Sequence, residues 1–286
     1  MSLTGTGVWA WQLRRAEPHA IREAATELEH LGFSALWIPD VGGDVFSPLS
    51  RLLDATTAIP VGTAVLNLWK HEAEEVAAFR ASLGTRADRL LLGIGASHAA
   101  VVDRKSPGRF RRPLQAMDAY LDRLDAAEPP VPDSGRLLAA LGPKMLELAR
   151  QRTSGVITYL CTPRHTELAR AALGPESTLV AEQAVVLESD PARARGLARR
   201  YLVDYLALPN YRNNLERLGF TAEDFADGFS DGLVDALVAW GDPASIAKRL
   251  DEHRTAGADH VCVQVLTAEP ERIPMNELRS LAPAFE

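Results

Sequence analysis

The chain has 286 residues, 47% hydrophobic and 24% charged, enough to bury a large core. Its formal net charge of −7 argues against a broad nucleic-acid or membrane-binding patch, and no apolar run nears the roughly 18 residues of a membrane span. Cys161 and Cys262 lie too far apart in sequence to suggest a disulfide framework or a metal site, and the opening "MSLTGTGVWAW" lacks a secretory pattern, so a reduced, cytoplasmic setting is expected.

Short β-rich runs alternate with helical patterns. "TGVWAW" (6–11) reads as the first strand. A helix follows over 19–31, with Ile21, Ala24, Ala25, Leu28 and Leu31 at helical spacing and Gly32 as its stop signal. "SALWIP" (34–39) is the second strand, then a helix over 47–58. "PVGTAVLNL" (60–68) is the third strand, then a helix over 72–83. "RLLLGIG" (89–95) is the fourth, followed by a looser basic stretch and a helix near 113–127. "GRLLAALG" (135–142) is the fifth strand and leads into a helix over 143–152 that starts on Pro143. "GVITYL" (155–160) is the sixth strand, with a helix over 164–173, and "TLVAEQAVVL" (178–187) is the seventh. Asp190-Pro191 and Asp242-Pro243 both read as helix starts. A helical insertion fills roughly 192–240. "DHVCVQVL" (259–266) is the eighth strand, with a short helix near 275–282.

Eight strands alternating with helices, and no linker between them, predict α/β architecture as a single (β/α)8 TIM barrel over residues 1–286. The gap of about 70 residues between strands seven and eight exceeds one helix and two loops, hence the insertion. Barrel chemistry sits where strands end at their C-terminal side. That selects Trp11-Gln12, Pro39-Asp40, Leu66-Asn67, Gly95 to His98, Leu141 to Pro143, Tyr159 to Thr162 and Val265-Leu266.

Within those stretches, "GIGASH" is not a dinucleotide loop, because His98 stands where the third glycine would be. A histidine past a strand end can move protons or orient a carbonyl; the plainer reading is a solvated loop residue. Thr63 and Asn67 offer hydrogen bonds to a planar ring, or simply belong to an ordinary barrel strand. Gly142 before a Pro143-led helix suits an anion or a ring oxygen, although a tight βα turn explains it as simply. Arg109, Arg111 and Arg112 form either an anion site or a solvated face. Cys161 has no activating partner nearby in sequence. Tyr205, Tyr211 and Trp240 read as the insertion's own small core, with a lid over the mouth as the alternative.

The runs "ELEHLGFSALWIPD", "GTAVLNLW", "RLLLGIGASH" and "LAALGPKMLELA" resemble the luciferase-like family of flavin and deazaflavin oxidoreductases. "LPNYRNNLERLGF", "LVDALVAWGDPASIAKRL" and "AGADHVCVQVL" are similar to its actinobacterial F420-dependent subgroup. The resemblance implies a cofactor across the C-terminal face, held by Asp40, by Thr63, Ala64, Val65 and Asn67, by Gly95 and Ser97, and by Ala140, Leu141, Gly142 and Pro143. It also implies a bulge ending strand three, with a cis peptide at Ala64-Val65, and a homodimer. The expected cofactor is coenzyme F420, with FMN as the alternative; the expected partner is a small organic substrate that gains or loses a hydride. A monooxygenase and a non-catalytic cofactor-binding protein are the competing readings. Relatives carry an acidic residue then histidine after strand two, whereas this chain has Asp40-Val41; they place a glutamate after strand four, whereas this chain has Ser97-His98. His98 is therefore the expected catalytic acid–base group, with Asp40 holding or tuning it.

Overall fold

A computed structural model describes residues 3–285, apart from the side chain of Lys105. Nine strands run parallel: β1 (Gly5–Trp9), β2 (Leu36–Ile38), β3 (Val61–Asn67), β4 (Leu90–Gly95), β5 (Arg136–Ala139), β6 (Gly155–Thr158), β7 (Thr178–Val186), β8 (Val238–Trp240) and β9 (His260–Val265). Strands β1 to β7 pair in sequence, β7 pairs with β9, and β9 pairs with β1, which closes the expected eight-stranded barrel.

The interior is filled by inward residues of alternate register. Trp9, Trp37, Ala64, Leu137, Ile157, Val180 and Cys262 form one buried cluster. Trp37 takes so much of this space that a Cβ on Gly62 would lie 2.4 Å from its ring. Its indole N–H donates to His260 Nε2 at 3.1 Å, and His260 Nδ1 lies 3.2 Å from the Thr4 carbonyl, so the imidazole is satisfied while neutral. A second cluster, including Leu28, Leu52, Leu121, Leu146 and Leu250, packs the outer helices onto the barrel.

The insertion differs from its expected form. It opens with the helix Pro191–Leu206, continues through Pro209–Arg217, Ala222–Phe225 and Asp231–Leu237, and ends in β8 rather than in helix. β6 leaves β7 after the pair Thr158 and Ala181, and β8 then pairs with Ala184 to Val186. A three-residue strand has no periodicity of its own; tertiary pairing decides it. Leu202, Leu206, Leu215, Leu233 and Leu237 pack against Ala184 and Val186, which ties the insertion to the C-terminal half of β7. Both Asp-Pro starts are as expected: Asp190 accepts from the Arg193 amide and Asp242 from the Ser245 amide, each at 2.8 Å. The basic stretch after β4 contains a helix, Ala99–Lys105. No helix of the described residues is long and apolar enough to cross a membrane.

Candidate active site

The wall of the mouth begins at the end of β3. The register with β4 shifts between Thr63 and Leu66, and the Ala64–Val65 peptide is cis, as expected. The Ala64 carbonyl accepts the Trp9 indole N–H at 3.0 Å. Two glycines of the G-x-G face this bulge. A Cβ on Gly93 would sit 2.1 Å from the Thr63 carbonyl oxygen, and one on Gly95 would sit 2.4 Å from Val65 Cγ2. They are spaced for barrel packing and not for a phosphate. Thr63 corrects the sequence reading: it is fully buried and donates its hydroxyl to the Gly93 carbonyl at 2.8 Å, so it faces no ligand.

Asp40 is the hub of the loops after β2 and β3. Its carboxylate is sealed from solvent and bonded to Lys70, to His71 Nε2 at 3.1 Å and to the Asn67 amide at 3.3 Å, with Arg14 3.9 Å away. Burial alone would raise its pKa, but the His71 and Lys70 bonds outweigh that and hold it below the usual carboxylate value. These partners take three of its roughly four acceptor sites, and His98 is not among them. The expectation that Asp40 tunes His98 is therefore corrected: it holds the two loops together. His71, which the sequence reading missed, supplies the imidazole absent after β2, from the far side of β3. It is 6% exposed, and its Nδ1 lies 3.4 Å from Glu75. The signal was the spacing of "NLWKHE", with a histidine four residues past the strand end. Asn67 spends its amide oxygen on the Trp69 N–H at 2.9 Å, shaping the turn.

At the end of β4, Ser97 adopts φ +57° and swings the chain across the mouth. His98 caps the helix Ala99–Lys105 in extended conformation and is half-buried. Its ring lies 5.4 Å from that of Tyr211 in the insertion. Burial lowers its pKa, opposed less strongly by a hydrogen bond that the ring donates to Asn210, so the neutral form is favoured. The same loop carries Trp69's partner: the indole N–H donates to the Ala96 carbonyl at 2.6 Å, and the ring lies 5.9 Å from Phe110. Arg109, Arg111 and Arg112 follow, exposed on the rim, with Arg109 3.8 Å from Glu72.

β5 ends at Ala139, so Ala140 to Gly142 form the loop. Ala140 is buried, and Leu141 accepts from His165 Nε2 at 3.1 Å. A Cβ on Gly142 would meet no atom within 4 Å, so this loop borders open space. Pro143 has no N–H, and Met145 and Leu146 both donate to the Gly142 carbonyl at 3.1 Å. The amides left for an anion at this turn are those of Gly142 and Lys144.

The insertion roofs the opposite side. Tyr159 past β6 bonds Gln264 at 2.8 Å and Tyr205 at 3.0 Å, and Tyr201 bonds Tyr159 at 2.9 Å. Tyr205, Tyr211 and Trp240 all belong to the insertion's own hydrophobic cluster, the first of the two expectations, and Trp240 donates its N–H to Asp235 at 2.7 Å. Cys161 is buried and its pKa is pushed up by desolvation, which leaves it an unreactive thiol.

This mouth offers a flat backbone wall at Ala64–Val65, open space beside Gly142, one neutral imidazole and an aromatic roof. Residues 1–130 match the model of the luciferase-like monooxygenase family. The chain is 26% identical to a 5,10-methylenetetrahydromethanopterin reductase of Methanolobus tindarius, over 82% of this chain and 86% of that protein. The solved coenzyme F420-dependent tetrahydromethanopterin reductase of Methanopyrus kandleri has the same fold, with TM-score 0.74, 17% identity and 99% of both chains covered. So does the oxygenating constituent of 3,6-diketocamphane monooxygenase from Pseudomonas putida in complex with FMN, with TM-score 0.68, 13% identity, and 99% and 97% covered. The family match covers residues 1–130, and the fold shared with these solved structures extends over the whole chain.

Proposed function

We propose that this protein is an oxidoreductase that uses coenzyme F420 to pass a hydride to or from a small organic substrate. The observation that carries the reading is the placement of exposed Arg109, Arg111 and Arg112 on the rim, on the loop that leaves His98. The deazaflavin bears a polyanionic tail, which a cluster of exposed arginines would attract. The whole-length likeness to a coenzyme F420-dependent reductase supports the same choice.

When bound, the deazaflavin supplies two-electron hydride chemistry; the protein supplies orientation and electrostatics. Val65 and the Ala64–Val65 backbone would back the ring. Gly95, Ser97, Asn67 and the Ala140–Pro143 loop would border it, with the Gly142 and Lys144 amides facing its oxygens or phosphate. His98 would meet the substrate. Burial favours its neutral form, which suits a proton acceptor or an N–H donor that orients the substrate.

The test is fluorescence titration of the purified protein with F420 and with FMN. F420 should bind at least tenfold more tightly. The FMN-bound neighbour motivates the competing monooxygenase reading. FMN retained through gel filtration, with F420 bound weakly or not at all, would establish that reading instead.

A further inference from the structure

The end of β9 carries an amide that none of these roles uses. Gln264 follows Cys262 by two positions on the inward face of β9, so it stands one layer above the interior cluster, at the floor of the mouth. It is 6% exposed. Its Oε1 accepts the Tyr159 hydroxyl at 2.8 Å and the Tyr201 hydroxyl at 3.3 Å. Its Nε2 has no hydrogen-bond partner among the described residues, yet it is not sealed from solvent. Because the side chain points inward, the space that reaches this nitrogen is the mouth.

Proton counting fixes which end of the amide meets the phenols. Tyr159, Tyr201 and Tyr205 are held above the ordinary phenol pKa by burial, so each keeps its hydroxyl proton. Their oxygens lie 3.0 Å apart for Tyr159 and Tyr205, and 2.9 Å apart for Tyr159 and Tyr201. With Oε1 toward them, Tyr159 and Tyr201 donate to its two lone pairs and Tyr205 donates to Tyr159, so every proton has an acceptor. With the amide turned over, Nε2 would donate to the phenols, and one hydroxyl proton would lose its acceptor within the cluster. The network therefore locks the amide with its N–H groups toward the mouth. The walls around this donor are aromatic: the Tyr159 ring lies 5.5 Å from Trp9 and 6.2 Å from Tyr211. Among the described residues no lysine or arginine bonds Gln264 or these phenols. The carboxyl of Glu182, bonded to the Leu160 amide at 3.2 Å, lies one layer below, level with Cys262. Nothing here would offset a negative charge on a ligand. β9 is three strands round the barrel from β3, so a flat ring against the Ala64–Val65 wall would have Gln264 on its open side.

We propose that Gln264 is the specificity-determining donor of the barrel mouth: its N–H groups seat the oxygen of a neutral, carbonyl-bearing substrate with an apolar body, and the Tyr159 and Tyr201 phenols hold the amide in that orientation. This rests on the oxidoreductase reading above, which calls for a small organic substrate on the open side of the cofactor. The aromatic walls take the apolar body, and the amide selects for an acceptor atom. A carboxylate at the same point would meet no cation.

Magnetic-resonance titration of the isotope-labelled protein tests this, with acetophenone against α-methylstyrene and cyclohexanone against methylenecyclohexane as probes. Each pair shares one skeleton, with the carbonyl oxygen replaced by a methylene. In wild type the side-chain amide protons of Gln264 should move downfield as either ketone is added and stay in place with its hydrocarbon twin; this reading needs no variant. In Gln264→Met, a near-isostere without donors, the ketone-to-hydrocarbon affinity ratio should fall about fivefold, the worth of one neutral hydrogen bond. Benzoate should bind wild type more weakly than acetophenone. Gln264 resonances that ignore both ketones, an unchanged ratio in Gln264→Met, or benzoate binding more tightly than acetophenone overturns the proposal. The titrations are run with and without saturating F420. Failure of F420 to bind wild type overturns the oxidoreductase reading instead, and the titrations of the ligand-free protein still decide the role of Gln264.

Discussion

His98 and Asp40, adjacent in the sequence argument, do separate jobs in the folded chain. His98 lies against Tyr211 and is free to face a ligand; Asp40 is sealed among Lys70, His71 and the Asn67 amide. His98→Gln should therefore lower turnover roughly a hundred- to ten-thousand-fold once a substrate is known, the range for a lost proton-transfer group, with F420 affinity within a few-fold. Normal turnover would return His98 to the class of ordinary loop residues. Asp40→Asn should act on stability instead. It removes the charge that partners Lys70 and His71, at a cost of about 1–3 kcal/mol, read as a lower urea midpoint. Because the folded Asp40 has a depressed pKa, its contribution is present above the unfolded value of 3.8 and is lost as pH falls below it. The same substitution should leave the variant's stability close to wild type in strong acid.

Two strand-end glycines give the corresponding test at the level of elements. Gly95 of β4 is packed against Val65 of β3, where a Cβ would come within 2.4 Å. Gly95→Ala should cost about 1–3 kcal/mol by overpacking. Gly142, after β5, has open space where a Cβ would go, and its φ of −99° suits alanine. Gly142→Ala should leave stability within about 0.5 kcal/mol yet weaken F420 binding about tenfold, since the new methyl occupies ligand space. Unchanged binding would remove the β5 loop from the proposed cofactor site.

For the molecule as a whole, buried titratable groups set the pH response. Desolvation lowers His253 to about 3 and His260 to about 4, so both stay neutral when folded. The unfolded chain protonates them near 6.5, so stability falls as pH drops from 6.5 toward 4, by at most about 1.4 kcal/mol per unit for each. Glu182 acts oppositely: with its pKa raised to about 8 from 4.5, it erodes stability as pH rises between those values. Two histidines outweigh one glutamate, so the urea midpoint should peak near pH 6.5 and decline on both sides. E182Q should abolish the alkaline decline up to about pH 8 and leave the acid one. A wild-type midpoint flat from pH 6.5 to 8 would contradict this. Assembly rests on family resemblance: light scattering should give twice the 31.1 kDa chain mass.

The alternation of apolar runs with amphipathic helices, together with the Asp-Pro caps, determined the barrel from sequence, because both depend on neighbours a few residues away. The same local signals located the strand ends, and so the loops of the site. What only the tertiary structure decided depends on residues brought together from afar. β8 exists because β6 leaves the edge of β7 free. His71 reaches Asp40 across 31 residues, and Thr63 turns inward onto Gly93 across 30. Glu182 reads in sequence as one more polar residue in a buried strand. Its unpartnered oxygen arises only when the Leu160 turn and the tyrosines of the insertion close over it, because burial and hydrogen-bond satisfaction are set by the assembled barrel.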